Sequence, residues 1–105
     1  MRKPAVYMMA SKRNGTIYAG VTSDLIRRVT EHRTGAVEGF SRRYGCKTLV
    51  WFDMADTMEA AIGREKQIKA GSRARNIALI EAANPQWRDL YPTITGQVGT
   101  NGASA

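Results

Sequence analysis

At 105 residues the chain has room for one compact domain with a modest core, but not for two independent ones. Its 43% hydrophobic and 24% charged residues are ordinary globular usage and exclude a chain too polar to collapse. Sixteen Lys and Arg against nine Asp and Glu leave a formal charge of +7, a surface that favours polyanions such as nucleic acid. The lone cysteine, Cys46, excludes an internal disulfide and lacks the paired spacing of a zinc site. No apolar run has the length of a membrane span, and Met1-Arg2-Lys3-Pro4 leads into no signal core, so a cytoplasmic chain without a membrane partner is expected.

Ala5 to Ala10 is short, apolar and aromatic, and Lys12-Arg13-Asn14-Gly15 follows it as a polar turn with the favoured Asn-Gly pair. Thr16 to Val21 resumes β-type residues, which predicts a hairpin over about residues 4–21. Thr22-Ser23-Asp24 supplies N-cap acceptors for a short helix from Leu25 to Arg33, with Gly35 as its stop. Residues 36–47 hold Gly39, Gly45 and several charges without a period and read as a loop, and Thr48 to Asp53 is the third strand. Asp56-Thr57-Met58-Glu59 has the form of a capping box with Asp56 as N-cap, opening a helix that runs to about Ala70 before Gly71. Ser72 caps a last helix from about Arg73 to Ala83, which stops at Asn84-Pro85, with Asn84 as a structural cap. Trp87, Leu90 and Tyr91 are expected to pack. The order β-β-α-β-α-α predicts an α+β fold, a small three-stranded sheet with helices on it. It forms one domain over residues 1–92, and residues 93–105 are expected to be a disordered tail.

Tyr7 and Tyr18 lie on the two strands of the hairpin, and Gly20 follows the second; tyrosine in a strand is ordinary by itself. Arg28 and His32 are four apart and share a helical face, with Leu25 on the same side; that pair suits a phosphate, but by itself such a pair is more often a solvated face. In the helix after the third strand, Met58, Ala61, Ile62 and Ile68 follow the helical period as an inward stripe. Glu65 falls on that stripe between Arg64 and Lys66. An unpaired buried carboxylate is costly, so Glu65 either pairs with a cation, Arg28 being the candidate, or lines a hydrated cleft and binds a divalent metal.

These residues resemble a known family. Ala5-Val6-Tyr7, Tyr18-Ala19-Gly20-Val21-Thr22 and the Leu25 to His32 segment are similar to the GIY-YIG endonuclease pattern, in which two tripeptides precede an Arg and a His on a helix. Gly39-Phe40-Ser41-Arg42-Arg43-Tyr44, Leu49-Val50, Arg64 to Lys69, Leu79-Ile80-Glu81 and Asn84 to Leu90 resemble its compact, stand-alone bacterial branch. The first tripeptide is Ala-Val-Tyr and the second Tyr-Ala-Gly, which keep the tyrosines and the last glycine but not the namesake letters. Ala19, the alternate residue, is expected to face the sheet interior and to matter little.

The resemblance implies a three-stranded antiparallel sheet flanked by helices and metal-dependent hydrolysis of DNA phosphodiesters, in DNA repair or recombination, with no small-molecule cofactor. It implies Tyr7 as the tyrosine at the attacking water, Tyr18 beside it, Arg28 facing the scissile phosphate and His32 bonded to a tyrosine or phosphate. Glu65 would hold one Mg²⁺ or Mn²⁺. A tyrosine that acts as a base near neutral pH needs positive charge beside it, for which the metal, Arg28 and His32 are the candidates. Some members of the family use an Asn downstream of the metal-binding Glu, and Asn76 is near that position. DNA contacts are expected from Arg42, Arg43, Tyr44, Lys66, Lys69 and Arg73, together with Phe40 and Arg75, where cations interleave with aromatics. Two rival readings are a non-catalytic DNA-binding accessory module of the same fold and a protein-interaction domain with incidental charge.

Overall fold

The computed structural model describes residues 3–96. Strands β1 (Ala5–Ala10), β2 (Ile17–Thr22) and β3 (Thr48–Met54) form one antiparallel sheet in the order β2-β1-β3. The helices are α1 (Leu25–Thr34), α2 (Phe40–Arg43), α3 (Met58–Ala70), α4 (Arg73–Ala83) and α5 (Tyr91–Thr95). This is the α+β arrangement expected, with two short helices, α2 and α5, added to the predicted order.

β1 is apolar at every position because both of its faces are covered. Val6, Met8 and Ala10 join Val50, Trp51, Ile68, Ile80 and Trp87 in one core, under α3 and α4. Ala5, Tyr7 and Met9 join Leu25, Val29, Cys46 and Leu49 in the other, under α1. Period-2 side-chain alternation along β1 thus splits the core into two layers, and Tyr7 belongs to the α1 side.

The hairpin closes through Ser11 N–H to Thr16 O at 3.0 Å and Gly15 N–H to Lys12 O at 2.9 Å, with Asn14 at φ 59 in the left-handed region that Asn tolerates. α1 starts where expected, its N-cap Asp24 accepting from Arg27 N–H, and ends on Gly35 at φ 78. Asn84 caps α4 and ties the chain that follows it, donating to Val50 O and Arg88 O and accepting from Arg88 N–H. Trp87 is buried and its indole N–H donates to Glu81.

Three expectations are corrected. The stretch expected to be a loop at residues 36–47 contains the helical turn α2, whose four residues are too few to show a period. The N-cap of α3 is Thr57, whose hydroxyl accepts from Ala60 N–H at 3.1 Å, and not Asp56, which is exposed and meets Lys3. The chain past residue 92 continues in α5 to Thr95, with Gly96 as its left-handed cap; the rest of the expected tail, residues 97–105, lies outside the described residues. On α3 only Ala61 and Ile68 of the predicted stripe are fully buried. No helix among the described residues is long and apolar enough to cross a membrane.

Candidate active site

Tyr7 and Gly20 are direct partners across the β1–β2 ladder, and Tyr18 stands two residues from Gly20 on the same face of β2. The Tyr7 phenol lies across β2 at that point. A Cβ on Gly20 would stand 2.5 Å from Tyr7 Oη, so a glycine there is what lets the hydroxyl reach beyond the strand. The hydroxyl meets His32 Nε2 at 2.8 Å in a buried hydrogen bond. Tyr18 completes an aromatic cluster, with ring centroids 6.4 Å from Tyr7 and 5.2 Å from His32. His32 is itself 2% exposed, and its other nitrogen, Nδ1, meets Ser41 Oγ at 2.8 Å. Ser41 is also buried.

Arg28, one helical turn before His32, pairs with Glu31 at 3.5 Å and stays half-exposed. Glu65 pairs with Lys69 at 3.2 Å, and its side chain is only 17% exposed. The Arg28–Glu65 ion pair that periodicity left open is therefore replaced by two local helical pairs, one on α1 and one on α3. Lys69 also reaches over the Tyr18 ring at 6.0 Å, which brings the polar side of α3 to the tyrosines.

The electrostatics follow from burial. Loss of water pushes the Tyr7 phenol well above the usual tyrosine range, helped by Tyr18, Glu65 and Glu31 and opposed by Arg28. Burial, then the charge of Arg28, pulls His32 down to about 4. His32 is thus a neutral imidazole near neutral pH and supplies no positive charge to Tyr7, contrary to the expectation from sequence; Arg28 supplies it.

Beside Tyr18 opens a cleft of about 440 Å³ lined by Ile17, Tyr18, Ala19, Phe40, Lys69, Arg73 and Asn76. Ala19 accordingly lines this cleft, while also packing against the core under α3 and α4. Phe40 stacks on Tyr18 at 6.3 Å and touches Tyr44 at 4.7 Å; both Phe40 and Tyr44 are about half exposed. Arg43 lies over the Tyr44 ring, and Arg42 is exposed on the same turn. Arg73 donates to Asn14 O and Gly15 O, so part of its guanidinium holds the hairpin turn. Lys66 is exposed on α3 and does not line the cleft. Asn76 does line it, with its amide donating to Ile68 O at the end of α3. Ser41 had no role in the sequence reading: a serine between Phe40 and two arginines in an aperiodic stretch looks like any solvated loop serine.

A profile described as the GIY-YIG catalytic domain matches residues 3–78. The chain belongs to the GIY-YIG family. This GIY-YIG chain is 33% identical to a UPF0213 protein of Syntrophus aciditrophicus over 94 residues, covering 82% of this chain and 98% of that one. It is 31% identical to the UPF0213 protein SSP2268 of Staphylococcus saprophyticus over 80 residues, 76% of this chain and 96% of the relative. The solution NMR structure of the UPF0213 protein BH0048 from Bacillus halodurans superposes with a TM-score of 0.53 at 25% identity, covering 88% of this chain and 96% of that one. The shared fold is the three-stranded antiparallel sheet with helices found here.

Proposed function

We propose that this GIY-YIG domain is a metal-dependent DNA endonuclease whose reacting centre is the cluster around the buried Tyr7 hydroxyl, beside the cleft that Tyr18 and Lys69 line. The observation that carries the reading is convergence: Tyr7 from β1, Tyr18 from β2, Arg28 and His32 from α1 and Glu65 from α3 act on one another across four separate elements. A structural core has no need to gather two phenols, an imidazole, a guanidinium and a carboxylate in one place.

The donor set fits one hard cation. Two carboxylates act on Tyr7, Glu31 and Glu65; Glu31 is held by Arg27 and Arg28, and Glu65, the less exposed of the two, is the one that would hold the ion. One carboxylate completed by water and substrate oxygens suits Mg²⁺ or Mn²⁺ and does not suit zinc. When bound, such an ion supplies Lewis-acid stabilisation of charge at the phosphate.

The chain's own residues do the rest. Arg28 is the cation set to absorb negative charge that develops on the phosphoryl oxygens. Tyr7 rests as the neutral phenol, so it works as a proton relay: its oxygen accepts the proton of the attacking water as the water oxygen bonds to phosphorus, while its own proton passes by way of a phosphate oxygen to the leaving oxygen, whose bond to phosphorus breaks. Tyr18 and the neutral ring of His32 wall the site and exclude bulk water. Phe40 and Tyr44, with Arg42, Arg43 and Lys69, give the nucleic acid a cationic and aromatic track leading from the cleft. The two rival readings draw no support from a buried Tyr–His hydrogen bond, since neither binding DNA nor binding protein requires one.

The test is cleavage of supercoiled, branched and single-stranded DNA by the purified chain in Mg²⁺ or Mn²⁺, beside the same reactions in chelator. Metal-dependent nicking of at least one substrate is expected, and DNA binding without any turnover would leave the accessory-module reading in its place.

A further inference from the structure

The cleft beside Tyr18 does not end at Asn76. That residue also lines a second cavity of about 270 Å³ between α3 and α4, whose other walls are Arg64, Gln67, Ile68, Gly71, Arg75 and Leu79. The α3 residues recur at helical spacing on one face, as do those of α4, so the two helices form the sides of a groove with Ile68 and Leu79 as its apolar floor. Among the described residues no acid lines it. Two guanidinium groups therefore border one small space without a counterion. Among the described residues neither Arg64 nor Arg75 has an ion pair or a side-chain hydrogen bond, whereas Arg27, Arg28, Arg33 and Lys69 each meet a carboxylate and Arg73 meets two carbonyls. Arg64 also borders a neighbouring cavity that holds Asp53 and Asp56, yet pairs with neither. Its guanidinium lies over the Trp51 ring at 5.6 Å, a contact that steadies the side chain and leaves its N–H groups without an acceptor. Like charges around one cavity repel, and an anion between them removes that cost. Arginine forks match the oxygens of a phosphate, and the Gln67 amide adds a neutral donor, since the Asn76 amide is already committed to Ile68 O.

We infer that the α3–α4 groove binds a backbone phosphate of the DNA beyond the scissile one, with Arg64 and Arg75 as its two cations. The inference rests on the nuclease reading only for the place of the scissile phosphate; the binding itself needs no turnover. A strand in the Tyr18 cleft that leaves past Asn76 meets the groove next, because one residue lines both. A free phosphate offers the same oxygens, but Lys69 and Arg73 in the cleft and Arg64 and Arg75 in the groove set four cations in two adjoining cavities. That row matches successive charges along a strand better than one small ion. The groove brings no group to the reacting atoms. It holds the strand, and a strand held on both sides of Asn76 is fixed in the cleft. The charge pattern of the sequence marks Arg75 as a DNA contact but not Arg64, which the fold brings to the same cavity.

The test is the affinity of the chain for a labelled duplex and a labelled single strand, read by fluorescence anisotropy in chelator, where nothing is cut, over a series of salt concentrations. Arg64→Gln/Arg75→Gln should bind the preferred probe about 10-fold more weakly at low salt, and its plot of log affinity against log salt should be shallower by about 1, as for one lost phosphate contact. Arg64→Lys/Arg75→Lys keeps the charge and loses the fork, so it should recover the slope and only part of the affinity. Parental affinity and slope in the glutamine pair overturn the inference. So does a glutamine pair that binds DNA as the parent does but no longer takes up inorganic phosphate, which would mark a site for a free anion. If loss of the Trp51 contact unfolds the double variant, Arg75→Gln decides alone: that side chain is exposed and has no partner among the described residues, so the variant folds and its slope should still fall. A parental slope there overturns the inference as well. A parent that shows these effects but cleaves no DNA in Mg²⁺ or Mn²⁺ refutes the nuclease reading and leaves the groove standing. A parent that cleaves DNA beside a glutamine pair of unchanged affinity refutes the groove alone, and a parent that binds neither probe refutes both.

Discussion

A Cβ at Gly20 would stand 2.5 Å from Tyr7 Oη and 2.7 Å from Tyr7 Cζ, so this glycine is required for space and not for its backbone angles. Gly20→Ala should push the phenol off His32 and cost turnover about 10²-fold, the usual effect of an ångström's misplacement of a reacting group. Single-turnover cleavage and the His32 ring spectrum should change together; a parental rate would show that the hydroxyl need not sit where it does. His32 makes a second prediction at this scale. Folded, it takes up a proton at about 4, and unfolded at about 6.5. Between those values the unfolded chain binds more protons, so stability falls as pH drops through that window and is indifferent to His32 above it. The full loss below the folded value is roughly 3 kcal/mol. Denaturant melts of the parent and His32→Gln at pH 7.5, 5.5 and 4.5 should show the parent's excess acid sensitivity vanish in the variant. Equal slopes for the two proteins would contradict the buried neutral imidazole.

The elements divide into those that a local signal announces and those that only tertiary contact creates. Asp24, Gly35, Ser72 and Asn84 were legible as helix ends because each is a side-chain acceptor or a φ-tolerant residue next to a periodic run. At α3 two acceptors stand side by side, and sequence alone does not choose between Asp56 and Thr57. The extended backbone of Thr57 and its bond to Ala60 N–H decide it. Thr57→Ala should therefore cost about 1 kcal/mol in a denaturant melt. Asp56→Ala should cost close to nothing, since it removes only an exposed pair with Lys3; the reverse order would restore the capping box starting at Asp56. α2 was illegible for a different reason. Its one buried residue, Ser41, is held by His32 from another helix, and no periodicity within four residues could disclose that.

At the scale of the molecule, the arrangement follows from burying β1 on both faces. α3 and α4 cover one side and α1 the other, which leaves Tyr7 facing α1 and brings α3 across β2 toward Tyr18. The sequence disclosed Glu65 as an acid on a core-facing helix but not its partner. Arg28 was the nearest cation by type, whereas the fold supplies Lys69 one turn along the same helix. That difference shapes the outcome of replacing Glu65. Lys69 is half-exposed, so Glu65→Gln strands no buried guanidinium, and its stability in chelator should stay within about 1 kcal/mol of the parent. The measurement that bears most directly on the nuclease claim is Mn²⁺-dependent DNA cleavage by Glu65→Gln and the parent over a range of metal concentrations, beside thermal melts in chelator. A folded Glu65→Gln protein that binds DNA and cleaves none of it at any metal concentration is expected; metal-dependent cleavage by Glu65→Gln at the parental rate would contradict the assignment of Glu65 to the metal.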